Sequence, residues 1–171
     1  MVKPDKLPQS STLASHVHQS DFCDALTFMV SEDGMSPSDV YVAIFGQLPP
    51  FVQQLMSLRN QIVEPFGFKV QEIQSLPSAE LLKTSKGEGL HQVEHLDDQE
   101  IICSSAEKHM QVWLSVVKRS ERQFTLSTMV ATHSAIGKAY LNVVIPFHKV
   151  VAMASVRAML KNVQLKKEPS N

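Results

Sequence analysis

Two strand-like runs, Lys108–Lys118 and Arg122–His133, are separated by a turn of a few residues. They lead with almost no loop into one long apolar segment, Ile136–Leu160, that predicts a helix. This sequence constrains the fold more than any other part of the chain. A long, nearly all-apolar helix delivered by a short-turned antiparallel hairpin calls for a sheet wrapped around that helix, an arrangement that often encloses a cavity. In Lys108–Lys118 the alternation puts Met110, Val112, Leu114 and Val116 on one face, with His109, Gln111, Trp113 and Ser115 on the other. The apolar face is the one expected to point to the core. In Arg122–His133 the corresponding face carries Phe124, Leu126, Thr128 and Val130, which makes Thr128 a polar group on an apolar wall.

At 100° per residue, Ile136, Tyr140, Val143, Phe147, Val151, Ala154 and Ala158 cluster on one side of the helix and are expected to be buried. Lys138, Asn142 and Lys149 cluster opposite. Pro146 removes a hydrogen bond inside the helix and is expected to kink it, which lets a helix follow a curved sheet.

Upstream, residues 1–18 are polar and read as a flexible arm, without the apolar core of a signal peptide. Asp21–Ser31 reads as the first strand and Glu32-Asp33-Gly34 as its turn. Ser36-Pro37-Ser38-Asp39 is a helix start, with Ser36 as cap, and that helix stops at Gly46. A second helix, Phe51–Glu64, carries Phe51, Leu55, Leu58 and Ile62 as an apolar stripe. Phe68–Ile73 alternates as a strand, Leu76–Gly89 reads as a loop, and Leu90–Leu96 with Glu100–Ser105 form a hairpin over Asp97-Asp98. The fold class is therefore α+β: a curved antiparallel sheet of about six or seven strands, two short helices after the first strand, and a long C-terminal helix. The expected organisation is an arm over 1–18, a single domain over 19–163 and a polar tail over 164–171.

The chain has 171 residues, 43% of them hydrophobic, a net charge of −1 and only 19% charged residues. It has no clustered basic field for nucleic acid. No run of about 18 apolar residues is unbroken, so no membrane span is expected, and cytoplasm is the expected location. Cys23 and Cys103 carry no CxxC motif and read as reduced, buried thiols. There is no nucleophile elbow, phosphate-binding loop, zinc motif or calcium loop. His91 and His95 would lie about 13 Å apart on a strand, too far to share a metal. No cofactor, metal or catalytic set is assigned.

The candidate ligand contacts are apolar walls with a few polar handles. Val112, Leu114, Leu126, Val130, Val143 and Phe147 form the walls, and Thr128 and Tyr140 are the handles. Arg59, beside the apolar stripe of the second helix, is placed to pair with an acidic ligand group. His109 opens one strand of the hairpin and His133 closes the other, so they lie near each other and could bind a head group or act as acid and base. Trp113 faces away from the core, against the arm or a partner protein.

The segments SDFCDAL (Ser20–Leu26), LPPFVQQLMSLRNQIVEPFGFK (Leu48–Lys69), EKHMQVWLSV (Glu107–Val116) and STMVATHSAIGKAYLNVVIPFHKVV (Ser127–Val151) carry a resemblance. Together they resemble the uncharacterised bacterial family called domain of unknown function 2867, over most of residues 20–160. That family is similar to the helix-grip superfamily of lipid-transfer, polyketide-cyclase and plant-allergen domains. The resemblance implies a sheet gripping the C-terminal helix over an apolar cavity. It also implies an oxidoreductase partner, because similar domains occur fused behind NAD(P)-binding reductase-like domains. The sequence departs from the family at Gln111 and Trp113, where relatives often have an acid and an arginine.

The leading expectation is a soluble module that binds a small hydrophobic or lipid-like ligand between sheet and helix. The alternatives are a cyclase, hydratase or isomerase using a cavity His or Tyr, and an accessory domain docking on a reductase near Trp113. A homodimer is left open.

Overall fold

The alternating patterns of the sequence are realised in a six-stranded, curved, wholly antiparallel sheet. The computed structural model describes residues 1–66, 82 and 91–167. Its strands are β1 (Lys3–Asp5), β2 (Phe22–Met29), β3 (Gln92–Leu96), β4 (Glu100–Ala106), β5 (Met110–Lys118) and β6 (Gln123–Thr132), in the spatial order β1-β2-β6-β5-β4-β3. Helices α1 (Pro37–Phe45) and α2 (Pro50–Val63) follow β2, and α3 (Ala135–Lys167) follows β6. This is the α+β, helix-grip architecture expected. The strand expected at Phe68–Ile73 lies outside the described residues. So does the loop at Leu76–Gly89, apart from Leu82, which is buried in the core.

Register sets the cavity side of the sheet. Directly paired residues on neighbouring strands share a face. Phe22, Val130 and Val112 make one rank, Asp24, Thr128, Leu114 and Cys103 the next, and Leu26, Leu126, Val116 and Ile101 a third. The third rank packs with Val40, Tyr41 and Ile44 of α1 and Val156, Met159 and Val163 of α3 to form the main core. Helix α1 is held there by local chemistry. Ser36 Oγ accepts from the Asp39 N–H at 3.1 Å and Asp39 Oδ2 accepts from the Ser36 N–H at 3.0 Å, a reciprocal cap. Gly34, at φ 78°, makes the left-handed turn that leads into it.

The opposite face of the sheet is covered by the N-terminal segment. Read from sequence as a flexible arm, residues 1–18 carry β1, paired to β2, and a 3-10 helix over Thr12–Gln19. Leu13 is buried against Ile102 and Met129. The buried Glu100 carboxylate accepts from Ser11 Oγ and Ser115 Oγ, both at 2.6 Å, and from the Thr12 N–H at 2.8 Å. A charge taken out of water needs such donors. The donors are single Ser and Thr residues scattered through a polar segment, so no pattern in the sequence marks them.

Helix α3 differs from its expected orientation. Ile136, Val143 and Phe147, expected to be buried, are exposed. Burial falls on Gly137, Leu141, Ser155, Val156, Met159 and Val163, on another side of the cylinder. The cause lies at the first turn. A Cβ on Gly137 would sit 2.3 Å from the His109 carbonyl oxygen, so only glycine lets the helix approach that strand end. Ser134 caps the same turn: its Oγ accepts from the Gly137 N–H at 3.1 Å and pairs with His109 Nδ1 at 2.9 Å. A helix apolar nearly all round offers no stripe from which this rotation could be read. Helix α2 shows the same displacement: Phe51 and Leu58 are exposed and Val52 is buried. Helix α3 is continuous through Pro146 and extends to Lys167, into the segment read as a tail. Residues Ala135–Gln164 are long and apolar enough, by length and composition, to cross a membrane, with mean hydropathy 1.5.

Gly137→Ala is expected to lower stability by about 2–3 kcal/mol, because the methyl meets backbone that cannot swing aside. Urea unfolding of the variant beside Ala135→Gly, an exposed control in the same turn, checks this.

Candidate functional site

A cavity of about 420 Å³ opens between the concave face of the sheet, α1, α2 and α3. Its floor is built from the ranks set by register: Val112, Leu114, Leu126, Thr128 and Val130. One side is α2, through Leu55, Met56, Leu58 and Arg59, and the other is α3, from Tyr140 to Ser155. At 1.5 Å per residue, the α3 side runs about 22 Å, so the space is elongated. Its wall is mainly apolar, as suits an organic ligand.

The sequence-derived candidates divide cleanly. Val112, Leu114, Leu126, Val130, Thr128, Tyr140, Val143, Phe147 and Arg59 all line this space. Val143 and Phe147 do so from the exposed rim and not from a closed interior. His109 and His133 are neighbours, the His133 N–H donating to the His109 carbonyl at 2.8 Å, as the hairpin reading expects. Neither lines the cavity: His109 is buried at the start of α3 and His133 is exposed. Trp113 lies on the other face of the sheet, stacked at 6.3 Å on His16 of the N-terminal segment, with its indole N–H donating to Glu94.

Polar groups are spaced along the length of the cavity. At the α3 start, Arg59 Nε donates to the Tyr140 hydroxyl at 2.6 Å, and its guanidinium lies 5.3 Å from the centroid of the Tyr140 ring. That bond ties α2 to α3 across the mouth. Arg59 also donates to Asn60 Oδ1 at 2.9 Å. Near Thr128, His148 Nε2 pairs with Asp24 Oδ1 at 3.1 Å, and the same imidazole meets the Phe22 ring edge-on. Asp24 and Thr128 are direct cross-strand partners, so the Asp24–His148 contact and the hydroxyl meet at one rank.

Beside α1 a buried chain of polar groups reaches the cavity at His91. Tyr41, wholly buried, has its hydroxyl 2.8 Å from His91 Nδ1. Burial pushes the Tyr41 hydroxyl up and the neighbouring Cys103 thiol up to about 11, so both keep their protons. The protonated Tyr41 hydroxyl and His91 Nδ1 share one hydrogen bond, which anchors the ring and leaves Nε2 free of that contact. Burial also holds the His91 imidazole at about 4, well below its ordinary 6.5, so the ring is neutral at physiological pH. Two further cavity residues have oxygens without a partner among the described residues, Ser155 Oγ and Glu107 Oε2. Such groups suit a ligand's hydrogen bonds. His91 was read from sequence only against His95. His95 instead pairs with Asp97 at 2.9 Å, and among the described residues no group of three metal-ligating side chains assembles.

The sheet, gripped helix and polar-studded apolar cavity define a class of small α+β domain built around an internal space. The chain belongs to the family described as protein of unknown function (DUF2867), whose model matches residues 16–155. No curated protein and no solved structure matches the chain significantly.

Because the folded His91 takes up a proton only near pH 4 and the unfolded chain does so near 6.5, the stability that depends on His91 is complete above about 6.5. It falls as pH drops from there toward 4, by up to about 3 kcal/mol. His91→Asn is expected to flatten that slope, measured by urea unfolding at pH 7, 6 and 5.

Proposed function

We propose that this protein binds a small, elongated, hydrophobic or lipid-like molecule between its sheet and α3. The observation that carries the reading is the cavity of about 420 Å³ with a mainly apolar wall, within the range of small-molecule sites. Apolar surface left open to water favours an apolar occupant by roughly 25 cal/mol per Å² covered. The polar groups at Tyr140–Arg59, Thr128 and His91 supply orientation: an anchored imidazole, a hydroxyl, and a guanidinium that no carboxylate pairs among the described residues.

Native mass spectrometry of protein purified without detergent is expected to retain a lipid-like mass. Leu114→Trp, which fills the floor, is expected to lose that mass and to weaken a fluorescent fatty acid's binding by tenfold or more. Unaltered fluorescent-probe binding in that variant, or an empty wild-type protein that takes up no probe, would overturn the reading.

A second reading, acid–base chemistry of the cyclase, hydratase or isomerase kind, is favoured by His91. A neutral imidazole anchored by a buried tyrosine at the cavity wall can accept a proton as a weak base or hydrogen-bond a developing charge. Extracts of apolar metabolites incubated with wild-type protein are expected to show a consumed compound by mass spectrometry, with no consumption by His91→Gln. Identical extracts before and after would exclude chemistry on those compounds.

A further inference from the structure

We propose that the face formed by α2 and the first half of α3 docks on an anionic lipid surface, with the cavity mouth turned to the bilayer. This rests on the ligand-binding reading and names the surface at which the apolar ligand is exchanged.

Three independent observations meet on this face. The first is exposed apolar surface in a place that must normally be covered. Of the ten large hydrophobic residues exposed among the described residues, six lie on these two helices: Phe51, Leu58, Ile136, Val143, Phe147 and Val150, exposed by 45% to 64%. On α3, Ile136, Val143, Phe147 and Val150 fall within an arc of about 60° at 100° per residue, so they form one continuous stripe. All but Val150 belong to the stripe that sequence patterning marks for burial and the fold leaves outside. A contiguous exposed apolar patch marks an interaction surface.

The second observation is continuity with the cavity. Leu58, Val143 and Phe147 are at once exposed and part of the cavity wall, so the stripe runs into the mouth.

The third is charge. The segments Pro50–Val63 and Ala135–Lys167 contain seven Lys and Arg residues and no Asp or Glu. The whole chain holds sixteen basic and seventeen acidic residues, so these helices carry +7 and the remainder −8. Arg157 and Lys161 continue the line of the apolar stripe along α3, whereas Lys138, paired with Asp21, and Lys149 lie on the opposite side of the helix. An apolar stripe continued by cations and free of acids is the composition of a helix lying in the interface of an anionic membrane, where each nearby cation adds about 1 kcal/mol.

Two other occupants fit less well. A second copy of the chain would set this cationic face against itself in a twofold contact. A transmembrane placement of α3, which its length and hydropathy allow, would strip Val156, Met159 and Val163 from the main core. Lying on the membrane satisfies the exposed stripe and leaves that core intact.

The test is flotation of the full chain with vesicles of phosphatidylcholine alone and of phosphatidylcholine mixed with phosphatidylglycerol. Binding is expected only to the mixed vesicles, falling as salt rises. Ile136→Asp with Val150→Asp, neither of which lines the cavity, is expected to abolish flotation. Arg157→Gln and Lys161→Gln are each expected to weaken it about fivefold. Binding of a soluble fluorescent fatty acid without vesicles, measured on the same variants, is expected to stay within twofold of wild type. That separates the two ideas: loss of flotation with retained probe binding tests docking, and loss of probe binding tests the cavity. Equal flotation on both vesicle types, no flotation at all, or a dimer in light scattering that the Ile136→Asp, Val150→Asp variant dissolves would overturn the proposal.

Discussion

The approach of Gly137 to the backbone carbonyl of His109 governs everything on the concave side of the sheet. A Cβ there would lie 2.3 Å from that oxygen, so the first turn of α3 meets the end of β5 as backbone against backbone. With Ser134 capping the same turn, both the position and the rotation of the helix are set before its apolar side chains are placed. Leu141 then falls on the sheet with Met110 and Val130, and Val156, Met159 and Val163 fall on the main core. Tyr140 is left on the flank, where it meets Arg59 of α2 and bridges the mouth.

A cavity survives because the two ends of α3 do different work. Its C-terminal half packs closely on α1 and the third rank of the sheet. Its N-terminal half, from Tyr140 to Ser155, stands beside the first two ranks with space between. Polar groups are distributed along that space and not gathered into one catalytic cluster: Arg59 with Tyr140, Thr128 with the Asp24–His148 pair, and His91 on Tyr41. This pattern suits orienting an extended molecule. On the opposite face of the sheet the N-terminal segment is held down by the buried Glu100 and its three donors.

Several elements were legible from residue order alone. The β5–β6 hairpin follows from strict alternation, α1 from Ser36, Pro37 and Asp39, and α2 from its periodic apolar residues. The sheet-facing site residues from Val112 to Val130 were legible for the same reason: a period of two leaves only two faces, and one of them is polar. The helical contributions were harder. Ile136, Val143 and Phe147 were assigned to the interior by counting apolar residues, yet apolar residues cover most of the circumference of α3, so the count has only a weak preferred direction. His91 escaped notice as a cavity residue because its environment comes from Tyr41, 50 positions away.

The sequence by itself determined the element order, the α+β class, the inward face of each central strand and the membership of the DUF2867 family. These depend on short-range periodicity, capping and turn chemistry, which act within a few residues. The tertiary structure alone decided which side of α3 is buried, that the N-terminal segment is folded, and that His91, Arg59 and the Asp24-bonded His148 face one space. Those outcomes depend on close approaches and hydrogen bonds between residues 25 to 124 positions apart, and no local pattern encodes them.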